Sequence, residues 1–371
     1  MLTEIELKNY RAHVDTRVPL ARFTLLVGDN ASGKTSVLSA LRLVASLYAK
    51  PSHGEVLTGA NALPFVRRHG ASEALELAVR AADAKPWSWR VRVPPGDVNQ
   101  AFPVYEYDSE GEHRTGALLQ LVRPYPTTPS FEPSMAFSVA PAMLRLNAER
   151  LAEPSMSDDT VPTLDDDGYG LATVLKHLKS TEDDHFDRIV AATRAVVPSL
   201  RAVSFQRLKR ARTVSRVLSV EGRSVTVPES TMLIADELML KFADTEFLPA
   251  HAASEGTLLA LGTLTRLYAA PSPRIVLIDD IDRALHPRAQ GEFIAALRAA
   301  LAFFPEMQIV ATTHSPYLAD HFEPDSVVVL GRPDEGPIVA RRLSEHPDQK
   351  LLKAMTTGEF LTASGAGWFG P

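Results

Sequence analysis

Residues 23–35 read FTLLVGDNASGKT, and the fold turns on them. Phe23 to Val27 is a short continuous apolar run, the pattern of a strand buried on both faces. Gly28-x4-Gly33-Lys34-Thr35 follows at once and matches the phosphate-loop spacing in full. Beyond it Val37, Leu38, Leu41, Val44 and Leu47 recur at helical spacing, so a helix is expected from about Gly33 to Leu47. Strand, glycine loop and helix in that order are the context in which this pattern binds phosphate. Gly28 and Gly33 allow the tight turn and the close approach of backbone to ligand. The N–H groups of Asn30, Ala31, Ser32 and the residues through Ser36 are expected to point into the loop, at the positive end of a helix. Lys34 should reach the β- and γ-phosphates of a nucleotide, and the Thr35 hydroxyl should ligate Mg²⁺.

Outward from this loop the chain alternates strands and helices. Residues 2–7 (LTEIEL) alternate like an edge strand, and 75–80 and 88–93 read as further strands. The texture then changes. Residues 124–134 are rich in proline and serine, and 157–168 are acidic and loop-like. Residues 170–197 look helical in two pieces, with Thr181 a candidate cap before Glu182-Asp183-Asp184. Residues 201–227 show strand alternation about a Glu221-Gly222 turn. From about 255 the first pattern resumes: a helix to 269, a buried strand at 274–278, a helix at 287–304, a strand at 308–312, and short strands at 325–330 and 337–343. The expected fold class is α/β, a phosphate-loop NTPase with a mixed sheet core flanked by helices and its ligand at the strand C-termini. An α/β subdomain is expected as an insertion over 97–245, splitting the core into 1–96 and 246–345, with 346–371 as a C-terminal tail.

Two carboxylates end the strand at 274–278. Asp279 stands where a Mg²⁺ carboxylate belongs. Asp280 follows it and is positioned to orient or activate an attacking water. His314 lies just past the strand at 308–312, where a neutral imidazole can donate to a γ-phosphate oxygen. Ser254 and Gly256 precede a helix, where a hydroxyl and free amides can hold an anion; a plain helix N-cap is the competing explanation.

In chain order, GDNASGKT, ASEGT, VLIDDIDRALHP and VATTHSPYLAD resemble Walker A, signature, Walker B with D-loop, and H-loop of the ABC/SMC/RecF class of ATPases. The nearest likeness is to stand-alone AAA-type ATPases related to the OLD family, without a Toprim nuclease domain. The opening EIELKNYRAH and the segment DGYGLATVLKHL fit that likeness too. The resemblance implies ATP and Mg²⁺ as ligands, Asp279 as the Walker B acid, Asp280 at the catalytic carboxylate and His314 as the switch histidine. It implies that Asp282 sits in the D-loop, that Arg11 lies near the nucleotide, and that Ser254 and Gly256 meet the γ-phosphate of a second copy in a head-to-tail homodimer. The output it implies is antiviral defence or a DNA-linked process, with an effector encoded elsewhere. Two departures stand out. The catalytic position usually holds Glu, and Glu255 replaces a signature glycine. Gln120 is a weak candidate for the Q-loop.

Composition narrows the alternatives. The 371 residues carry 39 basic and 45 acidic side chains, for a net charge of −6, so the chain as a whole is no generic polyanion binder. A local exception is the stretch holding Arg201, Arg207, Lys209, Arg210, Arg212 and Arg216, which could contact nucleic acid as a RecF-like protein would. The absence of cysteine excludes disulfides, thiolate metal sites and cysteine nucleophiles. No apolar run approaches the ~20 residues of a membrane span and no export signal opens the chain, so the cytoplasm is the expected location.

Overall fold

The structure is a computed structural model that describes residues 1–49, 73–82, 86–93, 104–109, 112–117, 141–181, 184–220, 223–333 and 336–364. Hydrophobic alternation sets its first layer. Strands β1 (Leu2–Tyr10) and β2 (His13–Pro19) form a hairpin, and β4 (Leu75–Ala81), β5 (Trp87–Val93), β6 (Val104–Ser109) and β7 (Glu112–Ala117) extend it. The order is β2-β1-β4-β5-β6-β7, antiparallel throughout. β1 is therefore an interior strand, not the edge strand its alternation suggested. Its Ile5 and Leu7 enter the apolar core. Its Glu4, Glu6 and Lys8 join a charged layer with Arg17, Glu76, Arg80 and Arg90. Alternation marks a sheet with one wet face, which an interior strand shares with an edge.

The second sheet has the order β15-β14-β3-β13-β12-β8. Here β3 (Phe23–Val27), β12 (Ile275–Ile278), β13 (Gln308–Thr312), β14 (Val327–Gly331) and β8 (Ala142–Leu144) run parallel, while β15 (Val339–Arg342) is antiparallel. Helix α1 (Lys34–Ala49) packs with both sheets in one apolar cluster, which includes Val37, Leu38, Leu41 and Val44. Thr35 and Arg42 stay exposed, so the helix keeps one polar side. The second long helix of this unit spans Pro287–Phe303. The last residues form two further helices, Gln349–Ala354 and Thr357–Ser364, in which Phe360 is fully buried.

The chain divides into two compact units, Met1–Leu144 with Pro273–Pro371, and Arg145–Ser272. These bounds differ from the insertion expected over 97–245. β6 and β7 hydrogen-bond onto β5 and so stay with the first unit. The second unit contains the helices Ala148–Ala152, Leu171–Ser180, Asp184–Val196 and Glu255–Tyr268. Thr181, expected to cap the start of the second helical piece, instead closes the end of the first, its hydroxyl donating to the carbonyl of His177 at 3.2 Å. A three-stranded sheet of order β11-β10-β9 completes the unit, with β11 spanning Phe247–Pro249. β9 (Leu200–Val220) and β10 (Arg223–Phe242) form one long antiparallel ribbon, paired from Leu200 with Phe242 to Val220 with Arg223. The proline-rich stretch at 124–134, Gln120 and the Glu221-Gly222 turn lie outside the described residues.

Candidate nucleotide site

The loop between β3 and α1 is shaped by two glycines of positive φ, +148° at Gly28 and +94° at Gly33. Neither tolerates a side chain. A Cβ would meet the Leu330 carbonyl oxygen at 2.2 Å at the first position and His13 Nε2 at 2.5 Å at the second. The Ser32 N–H closes the turn by donating to the Asp29 carbonyl at 3.2 Å. Helical bonding starts with Val37 N–H donating to Gly33 O at 3.1 Å. The amides of Lys34, Thr35 and Ser36 precede that bond and stand at the positive helix end, as an anion site requires. Lys34 is buried, and its ammonium donates to the carbonyls of Gly28 at 2.7 Å and Asp29 at 3.0 Å. Burial lowers its pKa, while Asp280, Asp29, Asp279 and Asp282 oppose the shift. A nucleotide's phosphates would add to the negative charge that these four carboxylates supply.

Parallel pairing brings the carboxylates to this loop. β13 lies between β3 and β12, so all three strands end side by side. Thr35 Oγ1 donates to Asp279 Oδ1 at 3.1 Å, and Thr312 Oγ1 donates to the same oxygen at 2.8 Å. Asp280 Oδ1 is 3.7 Å from His314 Nε2, with both side chains about half-exposed. Burial and then Asp279 raise the Asp280 pKa, against His314 and Lys34. Thr313 Oγ1 donates to Asp282 Oδ1 at 2.6 Å. A cleft of about 200 Å³ beside the loop is lined by Gly28, Asp29, Thr313, His314 and, from the C-terminal helix, Leu361. Thr35 and Asp279 offer Mg²⁺ two hard oxygen donors at the helix N-terminus. Mg²⁺ takes few protein ligands and fills its octahedron with phosphate and water.

Arg11 reaches helix α1, its guanidinium donating to Ser39 Oγ at 3.2 Å, while Ser39 donates to the Thr35 carbonyl. Ser254 lies in the second unit and caps the helix Glu255–Tyr268, accepting from the Thr257 N–H at 3.3 Å. Gly256 is in the first turn of that helix. Arg201, Arg207 and Lys209 are exposed on β9, and Arg210, Arg212 and Arg216 follow along the same strand.

One residue of this site went unread in the sequence. His13, fully buried, contacts the Gly33 carbonyl through Nε2 at 3.2 Å and Thr16 Oγ1 through Nδ1 at 3.0 Å. A carbonyl only accepts, so the neutral ring carries its proton on Nε2. The Thr16 hydroxyl in turn donates to the Ile338 carbonyl at 2.9 Å. His13 supports the loop from below, and no spacing rule connects it to Gly33.

A family profile described as "AAA domain, putative AbiEii toxin, Type IV TA system" matches residues 23–320. The chain belongs to this AAA_21 family. The matched span contains the phosphate loop, both carboxylates and His314. Two curated relatives are Septu protein PtuA from Bacillus thuringiensis and from Bacillus mycoides (strain KBAB4). The first is 33% identical over 69 residues, 19% of this chain, and the second 38% over 89 residues, 23% of it. Those segments cover only 17% and 12% of the relatives' own lengths. Among solved structures, the SMC head bound to the C-winged helix domain of ScpA aligns with TM-score 0.57 at 14% identity, over 95% of this chain and 99% of that one. The Smc head from Pyrococcus furiosus, with an extended coiled coil, aligns with TM-score 0.51 at 13% identity, over 95% and 98%. The fold of this AAA_21 chain is thus the ABC-type fold of SMC heads. The narrower likeness to the OLD family stays a resemblance of motifs. Among the described residues no helix is long and apolar enough to cross a membrane.

His13 yields a pH prediction for this AAA_21 protein. Burial holds its pKa down at about 4, with Arg332 adding to the effect and the Gly33 contact opposing it. The unfolded chain binds that proton nearer pH 6.5, so the unfolded state gains protons first as the pH falls. Stability contributed by neutral His13 is full above pH 6.5 and declines down to pH 4, by an amount of order 3 kcal/mol. Chemical denaturation of His13→Gln at stepped pH should show a shallower loss across that window than the parent. Parallel curves for the two proteins would remove His13 as the source.

Proposed function

We propose that the protein is an ATP-hydrolysing switch that closes head to tail on a second copy around ATP and reopens after hydrolysis. The observation that carries this reading is the gathering of Lys34, Thr35, Asp279, Asp280 and His314 where β3, β12 and β13 end. In the proposed reaction a water attacks the γ-phosphorus, the bond to the β–γ bridging oxygen breaks, and ADP and phosphate are released. Asp280 orients that water and takes its proton. His314 donates to a γ-phosphate oxygen, and Lys34 meets the charge on the β- and γ-phosphates. Thr35 and Asp279 would hold Mg²⁺, which would further neutralise that charge. Ser254 and Gly256 offer a hydroxyl and free helix amides to the γ-phosphate held by the other copy. Arg11 steadies the start of α1.

The service we infer for such a clamp is antiviral defence in the cytoplasm, acting on an effector protein encoded elsewhere. The two Septu relatives favour defence over other outputs, although the aligned segments are short. A second, RecF-like reading rests on the β9–β10 ribbon. A two-stranded ribbon is narrow enough for a nucleic-acid major groove, and this one carries six basic side chains between Arg201 and Arg216. Its mark would be DNA affinity that falls steeply with salt.

Lys34→Ala should weaken ATP affinity and abolish turnover, as read by equilibrium dialysis and phosphate release; parent-like values in both would sink the nucleotide reading. Asp280→Asn should retain ATP and trap the closed pair, seen as a doubling of mass by light scattering. Adding Ser254→Arg should return that mass to the monomer. If ATP binds and the mass never depends on it or on Ser254, the head-to-tail clamp is wrong while the nucleotide site stands.

A further inference from the structure

The described residues hold one fully buried hydroxyl that touches both halves of the acidic pair, and the reaction scheme above does not use it. Thr312 closes β13 and has no exposed surface. Its Oγ1 donates to Asp279 Oδ1 at 2.8 Å and accepts from the Asp280 N–H at 2.9 Å. Its carbonyl accepts from the Ile281 N–H, also at 2.9 Å. One residue of β13 therefore ties three consecutive residues of the turn that follows β12. A hydroxyl has a single proton. That proton goes to the carboxylate, and one of the oxygen's lone pairs goes to the amide.

The turn it ties is strained. Asp280 has a φ of +52°, in the left-handed region. L-residues avoid that region because Cβ crowds the backbone; Asp and Asn enter it more readily than longer side chains. Such a conformation persists only where its surroundings impose it. Here the imposed contacts are those of Thr312, because the Asp280 and Ile281 amides both end on it. Thr313 continues the fastening through Asp282, and its own N–H donates to Leu26 O at 3.2 Å on β3, three residues before Asp29.

We propose that Thr312 is the positioning residue for both carboxylates: it aims Asp279 at Thr35 and the metal, and it holds Asp280 in its left-handed turn. This rests on the nucleotide reading above. Thr312 touches neither substrate nor metal and acts through the two aspartates. A buried partner of a metal-binding carboxylate typically changes metal affinity or activity by about 10- to 100-fold when removed.

The test is a titration of a fluorescent ADP analogue binding, with and without Mg²⁺, on the full chain. Thr312→Val keeps the shape and removes the hydroxyl. It should leave metal-free affinity unchanged and raise the Mg²⁺ concentration needed for half-maximal enhancement by about 10- to 100-fold. Thr312→Ser, which restores both bonds, should return near to the parent. A parent-like Mg²⁺ midpoint in Thr312→Val overturns the proposal, as does a Ser variant as impaired as Val. If Thr312→Val does not fold, Thr312→Cys, of similar size and with a weaker donor, replaces it under the same criteria. A second measurement separates this proposal from the nucleotide reading. Thr312→Val should lower Tm less in an Asp280→Gly background, where glycine removes the left-handed strain. Absence of nucleotide binding by the parent protein defeats the nucleotide reading alone. Equal Tm losses in the two backgrounds defeat the grip of Thr312 on the turn.

Discussion

A single five-residue strand, Gln308–Thr312, fixes where every charged group of the site stands. Its middle is apolar and buried on both faces, so it carries no alternation to set its register. A polar residue fixes each end instead. At the start, the Gln308 amide donates to the carbonyls of Leu2 and Ala21 at 2.8 Å each and accepts from the Leu2 N–H at 3.1 Å. At the finish, Thr312 holds the aspartates. Between these pins the strand pairs with β3 on one side and β12 on the other. A slip of one residue would leave both buried polar ends without their partners. The phosphate loop and the acidic pair therefore share one ruler, although 244 residues separate Thr35 from Asp279.

The loop itself is held from beneath as well as from its flanks. Gly33 is closed in by His13, His13 by Thr16, and Thr16 by the carbonyl of Ile338. This support joins the first sheet to the end of the second. It explains why the hairpin of β1 and β2 belongs to the site and is more than a cover for α1. Arg11, from the same hairpin and itself at a φ of +51°, touches α1 through Ser39. The chain spends two left-handed residues, Asn9 and Arg11, on shaping that corner.

Much of this was legible without coordinates, for a physical reason in each case. Phe23–Val27 and Gln308–Thr312 occupy the expected strand positions because continuous apolar runs of that length suit a sheet covered on both faces. The phosphate loop announces itself because its chemistry is local in sequence. What stayed hidden depends on partners far away. The threonines before His314 stood in plain view, but the acceptor of Thr312 lies 33 residues upstream. His13 sits 20 residues from Gly33. The start of the second unit was misplaced because β6 and β7, reading VYEYDS and EHRTGA, are too polar to look like members of the core sheet. They belong to it through backbone pairing, which side-chain patterns report only weakly.

The aspartate at position 280 gains a second explanation from its backbone. Compared with glutamate it is shorter by one carbon–carbon bond, about 1.5 Å, and in the proposed switch that loss of reach slows the attack of water. Its φ of +52° adds a constraint that length alone does not express. Glutamate would extend the carboxylate but would occupy the left-handed region less readily than aspartate does. The two effects oppose each other: reach favours Glu, and the turn favours Asp. The structure shows which side has been supported, because the Asp280 N–H, the Ile281 N–H and the Asp279 carboxylate are all bound to Thr312. A site that places its buried hydrogen bonds on the turn holds the Asp280 backbone in the conformation that a short side chain adopts most readily. In the proposed switch, slow hydrolysis would keep the ATP-bound state in place long enough for a partner to respond to it.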